Sequence, residues 1–452
     1  MSQRNLLLLL ATGVITYACY LRAEQNPYAR YVAAGYSVID RWSLVDTPDQ
    51  ELFEGAMEGM VRALKQRGDE YSAFVNEAHR EEFREDMRQE FGGVGVHFRF
   101  LGEPPLPTVI SPPAPGTPAF AAGIQAGDRI LEIADSPTAG MTISQVLSRV
   151  RGLVGELVSL TIEREAEPEP ITVSLVRQVI TVESIFGDIR DEEGDWQYRL
   201  SQDPRIGYVR IDKFGDKSVA ELTLVLAGLQ GAPYGKTDSP ESVQALILDM
   251  RDNSGGALDA AVGISDLFLR AGLPIVTTRG RDRTARDRFV ATGRTGYTKI
   301  SLVVLLNNES ASASEIVAAC LQDHGRAIVV GQRSYGKGTV QRVMRVESGR
   351  SLLKLTSATY WRPNGQNIHR MADAIEADSW GVKPDPGFEV LLDRQEYLQW
   401  RQYRDRRELL GDHRSTELVE QLDREFGALP AAFRDRALER AVEYLQKKLQ
   451  PQ

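Results

Sequence analysis

The chain has very few of the residues that build metal centres and disulfide frameworks. Its 452 residues include two cysteines, Cys19 and Cys320, and five histidines, and no HExxH motif occurs. Two cysteines exclude a disulfide scaffold, a cysteine-rich zinc site and an iron–sulfur cluster. A metal enzyme would have to use carboxylate ligands alone, and we therefore expect no metal. We also expect no organic cofactor.

Positively charged residues are also fewer than negatively charged ones. The sequence has 54 lysines and arginines against 63 aspartates and glutamates, a net charge of -9. Proteins whose main partner is a nucleic acid carry surplus cations to neutralise its phosphates, so we do not expect nucleic acid as a partner. The contents of 42% hydrophobic and 26% charged residues are otherwise those of a globular protein. At about 150 residues per domain, the length suggests roughly three domains.

One uncharged run stands near the N-terminus, between Arg4 and Arg22. Its roughly 17 residues are at the lower limit for crossing a ~30 Å hydrocarbon core, and no clean A-x-A cleavage site follows them. We expect residues 1–25 to form an uncleaved membrane anchor, with Arg4 in the cytoplasm and the rest of the chain outside it. A cleaved signal, a lipoprotein signal and a buried helix stay open as alternatives.

Four regions with different patterns follow this segment. Residues 26–90 have the apolar spacing of helices, and residues 91–180 have glycine-rich turns and short strands. Residues 181–390 alternate apolar strand runs with helical segments, which predicts an α/β core. Residues 391–452 are charged and helix-prone. We therefore predict a multidomain α+β protein with helical regions at both ends, which are candidate surfaces for homo-oligomer formation.

Glycines at the start of the second region predict a turn that leads directly into a strand. Such a turn leaves backbone N–H groups free to bind an anion, including the terminal carboxylate of a peptide. The candidate residues for this role are Gly92, Gly93, Val94, Gly95 and Val96. The alternative is an ordinary hairpin turn in a small barrel. The longer string, with GTPA from Gly116 and GDRILEI from Gly127, resembles a PDZ domain, which implies that C-terminal peptides bind along a sheet edge.

The strongest chemical signal is a serine-rich turn between a strand and a helix. The apolar run Leu302–Leu306 leads through Ser310-Ala311-Ser312-Ala313-Ser314-Glu315 into a helical segment. Free N–H groups and the positive end of the helix dipole favour negative charge there, as acyl transfer to a serine requires. The same residues also fit a plain capping box, Ser312-x-x-Glu315, so the pattern alone leaves both interpretations open.

A nucleophilic serine needs a base, and the nearest histidine is unsuitable. His324 lies at the far end of the predicted helix, about 18 Å from Ser312 at 1.5 Å per residue. Lys337 follows the next strand, and a right-handed βαβ unit would return it to the end of the sheet that carries Ser312. To act as a base, the lysine would need its pKa lowered by about three units from ~10.4, as burial can do.

The segment from Asn307 to Gln341, NNESASASEIVAACLQDHGRAIVVGQRSYGKGTVQ, closely resembles the carboxyl-terminal processing proteases, serine peptidases with a Ser–Lys dyad. The likeness extends to LILDMRDNSGG from Leu246 and to LKLT from Leu353. It implies a PDZ domain and a crotonase-like protease core that cleaves extracytoplasmic proteins near their free C-termini. The site residues that it implies are the nucleophile Ser312, the base Lys337 with its support Gln341, and the oxyanion donors Ala313 and Gly255 or Gly256.

Two features depart from the pattern of this family. Asp252 and Ser254 stand where its members usually have asparagine and proline, although both glycines after Ser254 are kept. Gln341 lies four residues after Lys337, which in a straight strand means about 13 Å, so a contact between them would require a bend near Gly338. Two other functions stay open: a membrane-anchored PDZ scaffold that no longer cuts, and an acyl-CoA enzyme on the same core.

Overall fold

In a computed structural model of the protein, the described residues are 27–165, 167–191, 195–230, 242–293, 296–409 and 433–450, with 10, 12–14, 16, 17, 420, 423, 424 and 430. The predicted anchor over residues 1–25 lies almost entirely outside this set. Among the residues that are described, no helix combines the length and the apolar character needed to cross a membrane.

The described helices are α1 (Pro27–Trp42), α2 (Asp49–Lys65), α3 (Glu77–Arg88), α4 (Pro118–Ala121), α5 (Ile143–Val150), α6 (Ser218–Leu229), α7 (Leu258–Asp266), α8 (Ala313–Asp323), α9 (Arg394–Leu409) and α10 (Arg436–Leu449). The strands are β1 (Ala73–Val75), β2 (Glu90–Gly93), β3 (Phe98–Leu101), β4 (Leu106–Val109), β5 (Arg129–Ile133), β6 (Ser136–Pro137), β7 (Leu157–Glu163), β8 (Ile171–Val176), β9 (Gln178–Thr181), β10 (Ile185–Phe186), β11 (Ile189–Arg190), β12 (Trp196–Gln197), β13 (Arg199–Leu200), β14 (Asp203–Ile211), β15 (Ala245–Asp249), β16 (Pro274–Arg279), β17 (Ala285–Val290), β18 (Ser301–Leu306), β19 (Ala327–Gly331), β20 (Thr339–Val346) and β21 (Ser351–Trp361). They belong to two compact units, Met1–Ala78 with Val343–Leu355, and His79–Arg342 with Thr356–Gln452.

The first unit contains α1, α2 and β1. Strand β1 pairs antiparallel with part of β21, so that Ala73 lies opposite Lys354. The ring of Phe53 on α2 meets that of Phe74 edge-to-face, with 5.9 Å between the ring centroids, which is a favoured arrangement of aromatic rings. No residue of α1 is buried in the part of the chain that is described, so α2 and the strand pair supply the packing of this unit.

A small antiparallel β module occupies the first part of the second unit. Its strands lie in the order β3-β4-β5-β7-β8, with β6 paired to β5, and β2 pairs separately with β9. Helix α5 begins with a capping box formed by Thr142 and Gln145, and it packs Val146 and Val150 into the core of the module. Among the described strands, β3 has a neighbour on one side only, so its other edge offers unpaired N–H and C=O groups to a further strand.

A mainly parallel sheet forms the larger part of the second unit. Strands β14, β15, β18 and β19 run parallel in that order, with Leu248 opposite Val304 and Val304 opposite Val329. Strand β15 is buried throughout, as expected for a parallel strand with both faces covered. Helices α6, α7 and α8 pack on one face of this sheet, and α10 packs on the other.

The predicted unit of strand, helix and parallel strand around Ser312 is present. It consists of β18, α8 and β19, and the two strands pair in parallel. The carboxyl ends of parallel strands lie at one end of the sheet, so the segments after β15, β18 and β19 meet there. These segments carry Gly255, Ser312 and Lys337. The fold therefore gathers three sequence motifs at one place.

A buried cluster of charges fastens α10 to the end of β15. Arg251 is 1% exposed, and its terminal nitrogens donate to both carboxylate oxygens of Asp435, each at 2.9 Å. The same guanidinium donates from Nε to Asp249 at 2.9 Å. Asp435 also caps α10, because it accepts from the Leu438 N–H at 3.1 Å. The cluster therefore ties α10 to Arg251. This residue directly precedes residues 252–256, which contain Gly255 and Gly256 and are called the glycine loop below.

Candidate active site

Ser312 immediately precedes α8 and has a strained backbone. Its φ of 55° lies in the left-handed region that residues other than glycine seldom adopt, and the residue is 7% exposed. Backbone strain of this kind is concentrated at active sites and ligand clamps. The turn holds Ser312 at the N-terminus of α8, where backbone N–H groups are free to face an anion.

The glycine loop after β15 packs directly against this turn. A Cβ atom on Gly255 would lie 2.8 Å from both the Cβ of Ser312 and the carbonyl oxygen of Ala311, and the φ of Gly255 is 103°. Only glycine permits so close an approach with this backbone conformation. The two segments are also joined by the Ala311 N–H, which donates to the Asn253 carbonyl at 2.9 Å. The structure thus places Gly255 in contact with Ser312.

Lys337 is linked to Ser312 through one carboxylate. The Oε2 atom of Glu315 accepts from the N–H of Ser312 at 2.7 Å and from the N–H of Lys337 at 2.8 Å. The Oε1 atom accepts from the Ser334 hydroxyl at 2.6 Å and from the Gly336 N–H at 2.7 Å. The backbone nitrogens of Ser312 and Lys337 are therefore within two hydrogen-bond lengths of each other, and the Lys337 residue is half-buried.

The carboxyl group of Glu315 is itself wholly buried. Burial raises its pKa to about 7, and the hydrogen bonds from Ser334, Ser312, Gly336 and Lys337 oppose that shift. Four donors converge on two oxygens, which matches the acceptor capacity of an ionised carboxylate. In the sequence, Glu315 is recognisable only as the last residue of a capping box, because its bonds to the Lys337 loop depend on the fold.

The three predicted oxyanion donors differ in what their N–H groups bind. The N–H of Gly255 donates to Oδ1 of Asn253 at 2.8 Å. Within the described residues, the N–H groups of Ala313 and Gly256 have no hydrogen-bond acceptor. Ala313 is the first residue of α8, where an N–H lacks a partner inside the helix, and Gly256 is exposed. These two N–H groups are available to an oxyanion, whereas that of Gly255 is occupied.

The side chain of Gln341 is hydrogen-bonded to two threonines. Gln341 lies in β20, which begins at Thr339, and its Nε2 donates to the hydroxyls of Thr339 at 2.9 Å and of Thr356 at 3.4 Å. Residues two apart on a strand project from the same face, so Thr339 lies between Gln341 and the Lys337 loop. Support from Gln341 to Lys337 would therefore pass through Thr339.

Tyr360 is a residue of the site that sequence reasoning missed. It is 4% exposed, it lies opposite Thr278 in the pairing of β21 with β16, and its hydroxyl interacts with the Ser312 side chain. Burial raises the pKa of Tyr360 to about 12, and the interaction with Ser312 acts against that shift. Tyr360 is therefore a neutral partner of the predicted nucleophile, and no local motif marks it.

The predicted tail-binding segment begins inside β2 and leads to β3. Gly92 and Gly93 belong to β2, opposite Val179 and Gln178 of β9. Strand β2 ends at Gly93, and residues 94–97 have no regular secondary structure. Val94 is wholly buried in the core of the β module. Gly95 has a φ of 83°, and a Cβ atom there would lie 2.5 Å from the Cβ of Thr117. The segment leads directly into the edge strand β3, which is the arrangement that the addition of a peptide strand needs.

His324 lies away from this site, as its place in the sequence predicts. It follows the C-terminal end of α8, at the opposite end from Ser312, and its Nε2 forms a hydrogen bond with the Pro274 carbonyl at 2.7 Å. Among the described residues, no group of three or more His, Cys, Asp or Glu side chains could hold a metal ion.

Comparison with known protein families identifies two domains in the chain. Peptidase family S41 matches residues 205–386, and the PDZ domain matches residues 109–164. The first range contains Gly255, Ser312 and Lys337. The second range contains α4, β5, β6, α5 and β7 of the antiparallel β module described above.

Curated relatives match over most of the chain. The carboxy-terminal-processing protease of Bartonella bacilliformis is 34% identical over 382 residues, which are 82% of this chain and 81% of that protein. The carboxy-terminal processing protease CtpA of Bacillus subtilis is 29% identical over 338 residues, 75% of this chain and 64% of that protein. Among solved structures, the photosystem II D1 C-terminal processing protease is 24% identical with a TM-score of 0.43, covering 90% of this chain and 97% of that one.

Proposed function

The chain belongs to the carboxy-terminal-processing proteases of peptidase family S41, and we propose that it is a serine endopeptidase that cleaves proteins near their C-termini with a Ser–Lys dyad. One observation carries the assignment of the dyad. The Glu315 carboxylate accepts from the N–H groups of both Ser312 and Lys337, and it therefore keeps a serine at a helix N-terminus beside a lysine. That pairing suits a nucleophile and its base.

In the proposed reaction, Ser312 attacks the carbonyl carbon of a substrate peptide bond while neutral Lys337 removes the proton of the Ser312 hydroxyl. The N–H groups of Ala313 and Gly256 stabilise the oxyanion of the tetrahedral intermediate. Lys337 then gives its proton to the leaving amine, which completes the acyl-enzyme. A water molecule, deprotonated by Lys337, hydrolyses this ester and regenerates Ser312. The steps use protein groups and water alone.

Three further residues support the reacting groups in this proposal. The Tyr360 hydroxyl, which interacts with the Ser312 side chain, orients the nucleophile. Gln341 holds the hydroxyl of Thr339, two residues after Lys337. Through this hydrogen bond we assign Gln341 an indirect supporting role, in which it fixes the strand that directly follows the Lys337 loop.

We further propose that the PDZ domain selects the substrate tail. A C-terminal peptide adds as a strand along the open edge of β3, and its carboxylate meets N–H groups of the glycine segment from Gly93 to Val96. The substrates are proteins with free C-termini. In keeping with the uncharged run between Arg4 and Arg22, the proposal places the active site outside the cytoplasm. It also gives the protease core a crotonase-like arrangement.

Replacement of the nucleophile tests the proposed function. The full chain should cleave an unfolded protein, and Ser312→Ala should abolish this cleavage without a loss of folded protein, because it removes a single hydroxyl. The matched control is Ser254→Ala, which alters an exposed serine of the neighbouring glycine loop and should remain active. A fluorophosphonate should label Ser312, as identified by mass spectrometry. Normal cleavage by Ser312→Ala would show that the nucleophile is wrong, and an unreactive wild-type chain would favour the scaffold alternative.

A further inference from the structure

Helix α9 contacts Asp252, the first residue of the glycine loop. The Tyr397 hydroxyl lies 3.1 Å from Oδ1 and 3.0 Å from Oδ2 of Asp252, and it donates to this carboxylate. Arg401, one turn further along α9, has its Nε 3.5 Å from Oδ2. Asp252 begins the loop that carries Gly255 and Gly256. A residue near the start of α9 is therefore bonded to the loop that supplies a proposed oxyanion donor.

Asp252 extends this contact to the turn that carries Ser312. Its Oδ1 accepts from Nδ2 of Asn307 at 2.6 Å, and its own N–H donates to Oδ1 of Asn307 at 2.9 Å. Asn307 is 2% exposed and directly follows β18. Its N–H donates to the Ser310 hydroxyl at 2.9 Å, which in turn donates to the Met250 carbonyl at 2.8 Å. The two hydrogen bonds between Asp252 and Asn307 thus join the glycine loop to the turn that carries Ser312.

The contacts of Asp252 with Asn307 and Tyr397 hold its backbone in an unfavourable conformation. Its φ of 59° is a left-handed conformation, which for a residue other than glycine persists only where the surroundings enforce it. Burial, followed by the nearby Asp252 carboxylate, raises the pKa of Tyr397 to about 12, so the tyrosine stays a neutral donor. The Arg401 side chain is 54% exposed, and solvent screens its ion pair. Tyr397 is therefore the stronger of the two contacts.

We propose that Tyr397 is a positioning residue for the reaction and that it acts through Asp252 on the two segments that carry Gly256 and Ser312. This inference rests on the proposed function. An oxyanion donor stabilises the transition state only when it lies within hydrogen-bond distance of the developing charge, and small displacements of a preorganised site reduce the rate strongly. The substrate tail binds elsewhere, on the PDZ domain. Loss of the Tyr397 contact therefore lowers kcat and leaves KM unchanged.

Removal of the Tyr397 hydroxyl is the direct test. In Tyr397→Phe the ring still packs beside Trp400, at 5.9 Å between centroids, so the helix is kept. We expect kcat for a peptide substrate to fall about tenfold, as loss of one hydrogen bond to a charged group allows, with KM unchanged and a small fall in Tm. The matched control is Tyr403→Phe on the same helix, whose ring packs on Phe433 at 5.1 Å and whose kcat should be normal.

Variants of Asp252 show whether the effect passes through this carboxylate. Asp252→Ala should lower kcat at least as far as Tyr397→Phe, and Asp252→Asn, which keeps one acceptor oxygen, should restore part of the rate. The double variant Tyr397→Phe with Asp252→Ala should be no slower than Asp252→Ala alone, because both changes remove the same contact. Asp252→Asn combined with Tyr397→Phe provides the same comparison if the alanine variant does not fold.

The outcomes separate this inference from the proposed function. If Ser312→Ala is inactive in the same assay while Tyr397→Phe has a normal kcat, the positioning role is wrong and the dyad stands. A change confined to KM, or rate losses that simply add in the double variant, would also overturn the positioning role. Cleavage by Ser312→Ala would instead refute the proposed function itself.

Discussion

Two regions are held in different ways: the end of the parallel sheet that carries the proposed dyad, called the catalytic end below, and the edge of the PDZ domain where we propose that the substrate tail binds, called the tail-binding edge. At the catalytic end, buried polar groups have several partners each: the Glu315 carboxylate accepts four hydrogen bonds, and the Arg251 guanidinium lies between two carboxylates. In the described chain, β3 of the PDZ domain pairs with one strand only. Residues 94–97, which lead into it, have no regular structure.

This difference separates the requirements of chemistry from those of recognition. A proton transfer and an oxyanion site need groups that are fixed before the substrate arrives. Strand addition instead needs backbone groups that stay unpaired until the peptide binds. We therefore expect substitutions at the catalytic end to remove activity or folding stability outright, and changes at the PDZ edge to weaken binding gradually. The predictions below test this contrast in order of decreasing effect.

The largest effect should come from replacing the proposed base. Lys337→Ala and Lys337→Arg should both lose about 100- to 10,000-fold in kcat/KM, the usual contribution of a general base. Arginine keeps the positive charge, but its guanidinium cannot accept a proton near neutral pH. Peptide hydrolysis at pH 8, with thermal unfolding as a check on folding, measures this loss. Near-normal cleavage by the arginine variant would remove Lys337 from the mechanism.

The buried charge cluster behind the glycine loop should be the most sensitive point for stability. Asp435→Ala leaves the Arg251 guanidinium without one of its two carboxylates and also removes the cap of α10. Loss of one partner of a buried ion pair costs about 3–5 kcal/mol in the free energy of unfolding, which denaturant titration can measure.

A half-buried ion pair at the PDZ edge provides the matched control for this cluster. Arg99 on β3 and Asp405 on α9 lie 2.8 Å apart, with side chains 32% and 34% exposed. Asp405→Ala should cost less than about 1 kcal/mol, because solvent screens such pairs. Equal losses for Asp435→Ala and Asp405→Ala would show that the two regions are held alike, contrary to the comparison above.

The Glu315 carboxyl should make stability depend on pH. Its pKa is raised by burial from 4.5 to about 7 in the folded protein, so between these values the folded state holds a proton that the unfolded state has lost. Its contribution is complete below about pH 4.5 and is lost as the pH rises through 7, by about 3 kcal/mol. Denaturant unfolding between pH 5 and pH 8 should show this fall. In Glu315→Gln, which has no group to titrate, that part of the pH dependence should be absent, and parallel curves for the two proteins would contradict the assignment.

The smallest effect should appear at the tail-binding edge. Amidation of a substrate's C-terminus removes the charge that the segment from Gly93 to Val96 is proposed to bind. We expect kcat/KM to fall severalfold, chiefly through KM, while kcat at saturating substrate changes little. Steady-state kinetics on a matched pair of free and amidated peptides measure this difference. Equal rates for the pair would mean that the PDZ domain does not recognise the terminus.

Sequence reasoning was most successful where the contacts are local. The predicted strand, turn and helix around Ser312 are β18, the serine-rich turn and α8, and the βαβ return of the chain to Lys337 is present. The position of Gln341 was harder to predict, because the backbone after Gly338 decides whether its side chain turns toward Lys337. The strand there joins Gln341 to Thr339 and Thr356. The dyad and its supporting residues remain predictions that the experiments above test.

The sequence by itself determined the elements of the catalytic end. Apolar runs specify buried parallel strands, glycines mark turns that need a positive φ, and small residues before an amphipathic segment mark the start of a helix, because each depends on local backbone preference or periodicity. Only the tertiary structure decided that the N–H of Gly256 is free while that of Gly255 is bound, and that Tyr360 reaches Ser312. It also joined Tyr397 to Asp252, 145 residues away, and Arg251 to Asp435, 184 residues away. Such pairings follow from the burial of polar groups that must find partners once the chain has folded, and no periodic pattern along the sequence encodes them.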